Sequence, residues 1–320
     1  MREEAMKSRV IGLAFAALVT AAPAQAAWPE RPIRVVVPFA AGGSSDQMGR
    51  VFTRAIDENK LLPQPVNIFN VTGHYSVGSR QIKDATGDGY SYLLIHIALM
   101  GGEASGVMDF GYRDFKAVAA TGDFCLTPVV RTDSPFQSLK ELLEAARKAP
   151  DTISFGVNIA AINHMAALLM QQTTPGAAFR YVQVGGGAEN FRALIGGHTQ
   201  AGVLSGAEFV SFRGDGRIRA LGYTGPMRHP ALPEIPSLKE LGYDVEFCVA
   251  NWWFAPKSTP QATVDAFADA LEKAQRTDYV QRELANRLFA PIFKRGAELD
   301  RDLDTTWKRI EPIAKMATKK

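Results

Sequence analysis

The stretch Ile33-Arg34-Val35-Val36-Val37-Pro38-Phe39-Ala40-Ala41-Gly42-Gly43-Ser44-Ser45-Asp46-Gln47-Met48 decides the fold. Residues 33–39 form a short, mostly apolar run with three consecutive valines, the look of a strand buried on both faces. Two glycines then let the backbone turn tightly. Beyond them Met48, Val51, Phe52, Ala55 and Ile56 recur at helical spacing. Strand, glycine turn and amphipathic helix begin an alternation that the rest of the chain continues.

Residues 66–71 read as a second strand, and the loop Thr72-Gly73-His74-Tyr75-Ser76 leads into another helical stretch. The turn Gly87-Asp88-Gly89 precedes a third strand over 90–96. Near Pro135 the theme restarts, with helices over 139–148 and 164–171 and around 191–195, and strands over 152–157, 181–184, 200–204 and 218–223. Ser237 and Glu240 have the spacing of a capping box, residues 245–255 read as extended, and Thr259-Pro260 opens a helix. The chain ends in charged amphipathic helices. Such alternation implies an α/β fold of two successive units with helices on both sheet faces, the chain returning to the first unit.

The chain has 320 residues, 36 basic and 33 acidic, for a net charge of +3. Lys7 and Arg9 precede an apolar run over 10–19, and Ala24-Gln25-Ala26 supplies the small residues at which a signal peptidase cuts. A leader over 1–26, cleaved after Ala26, is therefore expected; its apolar run is too short to span a bilayer. The remaining about 290 positions suffice for two domains. Their charge is about +2 with basic residues scattered singly, which excludes nucleic acid and a membrane surface as partners.

A helix start presents unpaired N–H groups and partial positive charge, which suits an anion. Phe39, Ala41, Gly42, Ser44, Ser45 and Asp46 stand at the first strand-to-helix junction, where Ser44 and Gln47 also fit a capping box. The same order recurs at Thr72, Gly73, His74, Tyr75 and Ser76, at Asn158, Ile159, Ala160 and Ala161, and at Gly185 to Ala188. Ligands of open α/β sheets lie beyond the carboxyl ends of strands, so these loops would wall a cleft. No Walker spacing and no full dinucleotide fingerprint is present, which argues against phosphate nucleotides. The five His residues are dispersed without metal-ligand spacing, so no metal or cofactor is expected. Ser76 in His74-Tyr75-Ser76-Val77-Gly78 resembles a nucleophile elbow lacking its first Gly; helix capping or ligand contact is the competing reading. Trp252 and Trp253 read as packing at a domain junction, with aromatic lining of a pocket as the alternative.

Trp28-Pro29-Glu30-Arg31-Pro32 ahead of the opening stretch, Gly87-Asp88-Gly89-Tyr90, Asn163-His164, Leu194-Ile195-Gly196-Gly197, Leu232-Pro233-Glu234-Ile235-Pro236-Ser237 and Trp252-Trp253-Phe254-Ala255-Pro256-Lys257 occur in that order. This ordered set resembles Bug-type periplasmic solute-binding proteins of tripartite tricarboxylate transporters and covers essentially the whole mature chain. The resemblance implies a two-domain periplasmic-binding-protein (Venus flytrap) fold, each domain a mixed sheet flanked by helices, with two crossover strands at the hinge. Domain 1 would comprise 27–125 with 252–320, and domain 2 residues 126–251. It implies a monomeric periplasmic receptor, with no catalytic activity, that captures a small carboxylate for membrane permease subunits. The first domain would hold the carboxylate through the loops 39–46 and 72–76. The second would contribute 158–161, Gly186, Gly187, Glu189 and Ser205. A sensor that presents ligand to a membrane signalling protein is an alternative in the same fold, and a secreted hydrolase using Ser76 is one from another class.

The chain departs from the family pattern where the ligand would sit. Val71-Thr72-Gly73-His74-Tyr75 replaces a Gly-rich loop, and Val157-Asn158-Ile159-Ala160-Ala161 replaces a Ser/Gly-rich one. A pocket that loses polar groups leaves a tricarboxylate's desolvation uncompensated. The expected ligand is therefore a mono- or dicarboxylate with an apolar, even aromatic, body. Cys125 and Cys248 would lie near the two crossings; they are either two buried thiols or, if the crossing strands are neighbours, a hinge disulfide.

Overall fold

The computed structural model describes residues 28–318. The expected leader and its cut after Ala26 lie outside the described residues. The first half of the chain opens with β1 (Ile33–Val37), α1 (Ser44–Glu58), β2 (Val66–Asn70), α2 (Tyr75–Lys83), β3 (Ser91–Ile95) and α3 (Ala98–Ala104). A long strand, β4 (Phe115–Arg131), then carries the chain across to α4 (Leu139–Lys148), β5 (Ser154–Val157), α5 (Ile162–Gln172), β6 (Arg180–Gln183), α6 (Gly187–Ile195), β7 (Ala201–Ser205), α7 (Gly206–Phe212) and β8 (Ile218–Ala220). The return runs through β9 (Cys248–Pro256), α8 (Gln261–Gln275), α9 (Asp278–Asn286), β10 (Ala290–Lys294) and α10 (Gly296–Ala314).

The strand order is β2-β1-β3-β9-β4-β7-β5-β6, with β8 and β10 also paired to β4. Neighbours β1–β2, β1–β3 and β5–β6 are parallel, as the apolar runs separated by helices require. Strand β9 enters antiparallel between β3 and β4, so the fold is a mixed α/β arrangement with two crossing strands side by side. On β4, residues up to Cys125 pair with β9 and β10, whereas Leu126 to Val130 pair with β7. Cys125 and Cys248 are register partners and form a disulfide, which decides between the two cysteine readings.

The core explains this order. Val35, Val36 and Val37 are fully buried between the layers. Trp253 packs against Phe52 of α1 and Phe267 of α8, and its Nε1–H donates to Thr121 Oγ1 at 2.9 Å. Trp253 is thus part of the buried core between β9, α1 and α8.

Several local expectations need correction. The N-cap of α1 is Gly43, without a side-chain cap; Gln47 instead donates from Nε2 to the Gly42 carbonyl. The Ser237–Glu240 bonds both form, but they close a turn rather than start a helix, because Gly242 follows at a left-handed φ of 87°. Pro260 stands one place before α8, as its N-cap. The C-terminal helices are interrupted by β10, whose anchoring residues pair with the distant β4.

Candidate functional site

The carboxyl ends of β1 and β3 face those of β5, β6 and β7 across a narrow seam. The cavity between them measures about 20 Å³, room for about one water. Its polar lining includes Ser44, His96, Asn158, Asn163, Glu189, Ser205 and Glu208. Its apolar lining includes Phe39, Phe124, Leu126, Ile162 and Val203, with Ala40 and Ala161. Among the described residues no lysine or arginine lines it.

Glu208 closes this seam. It is the third residue of α7, and Ser205 is the N-cap: Ser205 Oγ accepts from the Glu208 N–H while Glu208 Oε2 accepts from the Ser205 N–H at 2.7 Å. The other oxygen, Oε1, accepts from the Ser44 N–H at 2.9 Å, in the first turn of α1 and 164 residues away in sequence. A Cβ on Gly187 would lie 1.9 Å from Glu208 Oε2, so only glycine at the start of α6 admits the carboxylate. Three helix starts therefore converge on a side chain of the protein itself, and the seat expected for a ligand anion at α1 holds Glu208. Burial pushes its pKa up, opposed by the two backbone donors.

Two further contacts bridge the seam. Tyr75 donates its hydroxyl to the Ile159 carbonyl at 3.1 Å. Gly101 in α3 sits so close that a Cβ there would lie 2.0 Å from the Ala160 carbonyl oxygen. Ala160 itself holds a left-handed φ of 58°, a conformation that stores strain in a residue with a side chain.

His96 directly follows β3, with its ring stacked on Phe39 at 4.7 Å. Its Nδ1 accepts the Ala98 N–H at 3.2 Å. A neutral ring that accepts at Nδ1 carries its proton on Nε2, and burial holds the ring neutral by lowering its pKa to about 3.

Of the residues expected from sequence, Phe39, Ser44, Asn158, Ala161, Gly186, Gly187, Glu189 and Ser205 line the cavity. The others lie around it. Ala41 and Gly42 form the turn beside it. Ser45 donates to Asn251 Oδ1 at 2.6 Å and faces the core. Asp46 accepts from Gly42 N–H, Asn70 and Arg50, which makes it a clamp on its own loop. Thr72 and Gly73 are exposed, and His74 is the N-cap of α2, its Nδ1 accepting from the Ser76 N–H at 3.2 Å. Ser76 Oγ lies 2.8 Å from the same nitrogen, so its hydroxyl is held within the cap. Ile159 and Ala160 form the strained turn facing Tyr75 and Gly101.

Sequence reasoning passed over His96 and Glu208. Both had a signal: His96 stands at a strand's carboxyl end, and Ser205-Gly206-Ala207-Glu208 has capping-box spacing. Among the described residues no cluster of side chains could hold a metal ion, and no helix is long and apolar enough to cross a membrane.

The family described as the tripartite tricarboxylate transporter family receptor matches residues 51–318. Protein BugT of Bordetella pertussis is 29% identical over 297 residues, 88% of each chain. Among solved structures, the periplasmic binding protein BugD superposes with a TM-score of 0.84 at 25% identity, covering 91% of this chain and 98% of that one. MatC from Rhodopseudomonas palustris with bound malate shares the fold, with a TM-score of 0.82 at 22% identity over 90% of this chain and all of the other.

Proposed function

The chain belongs to the tripartite tricarboxylate transporter receptor family, and on that premise we propose that it captures one small carboxylate between two domains and delivers it to membrane permease subunits. Solute-binding receptors of this family are periplasmic binding proteins and not enzymes, so the hydrolase alternative falls away. In the proposed division, domain 1 is 27–125 with 252–320 and domain 2 is 126–251. The mature chain acts as a monomer after cleavage following Ala26.

The observation that carries the reading is the cavity at facing strand ends, lined from both sides of the β4–β9 crossing. A cavity of about 20 Å³ has no room for a carboxylate ligand, so binding requires the seam to part and close again. Support for an apolar-bodied ligand comes from Phe39, Phe124, Leu126, Ile162 and Val203. Ser44, Asn158, Gly186, Gly187, Glu189 and Ser205 would touch it directly. Thr72 to Ser76 and Ile159 to Ala160 would form the closing rim. That MatC holds malate supports the carboxylate class.

A thermal-shift screen of the mature protein against aliphatic and aromatic mono-, di- and tricarboxylates tests the proposal. A ligand that binds only the folded state raises the midpoint by mass action. One carboxylate class should shift it; a response to none of them would overturn the carboxylate reading.

A further inference from the structure

We propose that the cleft selects a ligand that carries a cationic nitrogen as well as its carboxylate, the nitrogen read by Glu189 and Glu208 and the carboxylate by His96. This rests on the carboxylate reading above and deepens it.

Charge is the first reason. Among the described residues, two carboxylates and no lysine or arginine line the cavity. A second ligand carboxylate would meet like charge in a poorly screened space. Glu208 cannot easily withdraw, because its oxygens are held by the Ser205 and Ser44 N–H groups. The second reason is an acceptor without a donor. Glu189 Oε2 is buried and has no hydrogen-bond partner among the described residues. A buried acceptor of this kind requires a donor, and an ammonium supplies several. The third reason lies on the other wall. His96 is 3% exposed, its Nδ1 is taken by the Ala98 N–H, and its Nε2–H has no partner among the described residues. An acceptor on the ligand completes it. One wall thus wants a donor and the other an acceptor, the complement of an amino-carboxylate.

Isothermal titration calorimetry of the mature protein with two matched series tests this. The aliphatic series is 4-aminobutyrate, glutarate and pentanoate; the aromatic one is 4-(aminomethyl)benzoate, terephthalate and 4-methylbenzoate. In one series at least, the amino member should bind about tenfold tighter than both companions, the scale of a charged hydrogen bond. Glu189→Gln leaves the Ser205–Glu208 capping box intact and should remove most of that advantage; Glu208→Gln, with its melting point checked, should do the same. A diacid that binds tighter than its amino counterpart, or an advantage unchanged in Glu189→Gln, would overturn the proposal while leaving the cleft a carboxylate site. Butylamine binding as tightly as 4-aminobutyrate would instead overturn the carboxylate reading on which it rests. Silence from every compound overturns both.

Discussion

Replacing Cys125 and Cys248 together by serine removes the one covalent link between β4 and β9. In the folded protein the two strands remain held by an antiparallel ladder running from Phe115↔Pro256 to Cys125↔Cys248. The native state should therefore change little, and the loss falls on the unfolded chain. The bond joins residues 123 apart in sequence. Closing a loop of that length restricts the unfolded ensemble by roughly 5 kcal/mol in the chain-entropy picture, an upper figure. For a chain of this size each 1 kcal/mol moves the melting point by about 2 °C, so the double variant should melt about 10 °C lower. Calorimetry of wild type and the double variant, with intact masses before and after reduction, gives the comparison. A double variant melting within about 2 °C of wild type would refute the loop-entropy reasoning. A several-fold change in ligand affinity would refute the claim that the bond acts only on the unfolded chain.

Gly101→Ala should drive α3 and the Ala160 carbonyl apart, because its Cβ would lie 2.0 Å from that oxygen; scattering should show a more open molecule, and wild-type dimensions with wild-type affinity would refute this. Tyr75→Phe deletes the hydroxyl donated to Ile159 across the seam, and calorimetry should show affinity reduced by roughly threefold to tenfold, the weight of one hydrogen bond. Burial lowers His96 to about 3 and His164 to about 4, so as pH falls from about 6.5 the unfolded chain takes up protons that the folded chain refuses. Stability is then full above that pH and is lost below it at up to about 1.4 kcal/mol per pH unit for each histidine. Glu208 acts with opposite sign, its raised pKa favouring the folded chain at lower pH. Urea unfolding at pH 7.5 and 5.5 should therefore show wild type losing about 1 kcal/mol more than His96→Gln; equal losses would refute the assignment.

The alternation of elements was legible because its causes are local. Valine runs, glycine turns and helical spacing act over a few residues, and β1, α1, β2, α4 and β5 fall where those patterns placed them. The resemblance implied a crossing near Cys125, but the residue pattern did not mark β4 as a strand because its seventeen residues serve two different sets of neighbours, so no single burial pattern runs through it. Strand β10 was missed because β4, far away in sequence, is what makes it a strand. The Ser44–Gln47 spacing misled for the opposite reason: Gly43 is the N-cap, and the Ser44 N–H is engaged by Glu208.

By itself, then, the sequence determined the fold class, the strand-end loops and, through its ordered motifs, the family. Helix starts and strand ends are written in neighbouring residues, and that is where the cleft had to be. Only the tertiary structure decided which side chain occupies the meeting point of three helix starts. Nothing near Ser44 in sequence announces Glu208. A hydrogen bond between residues 164 apart exists only once β7 has paired with β4 and brought the start of α7 to face the start of α1.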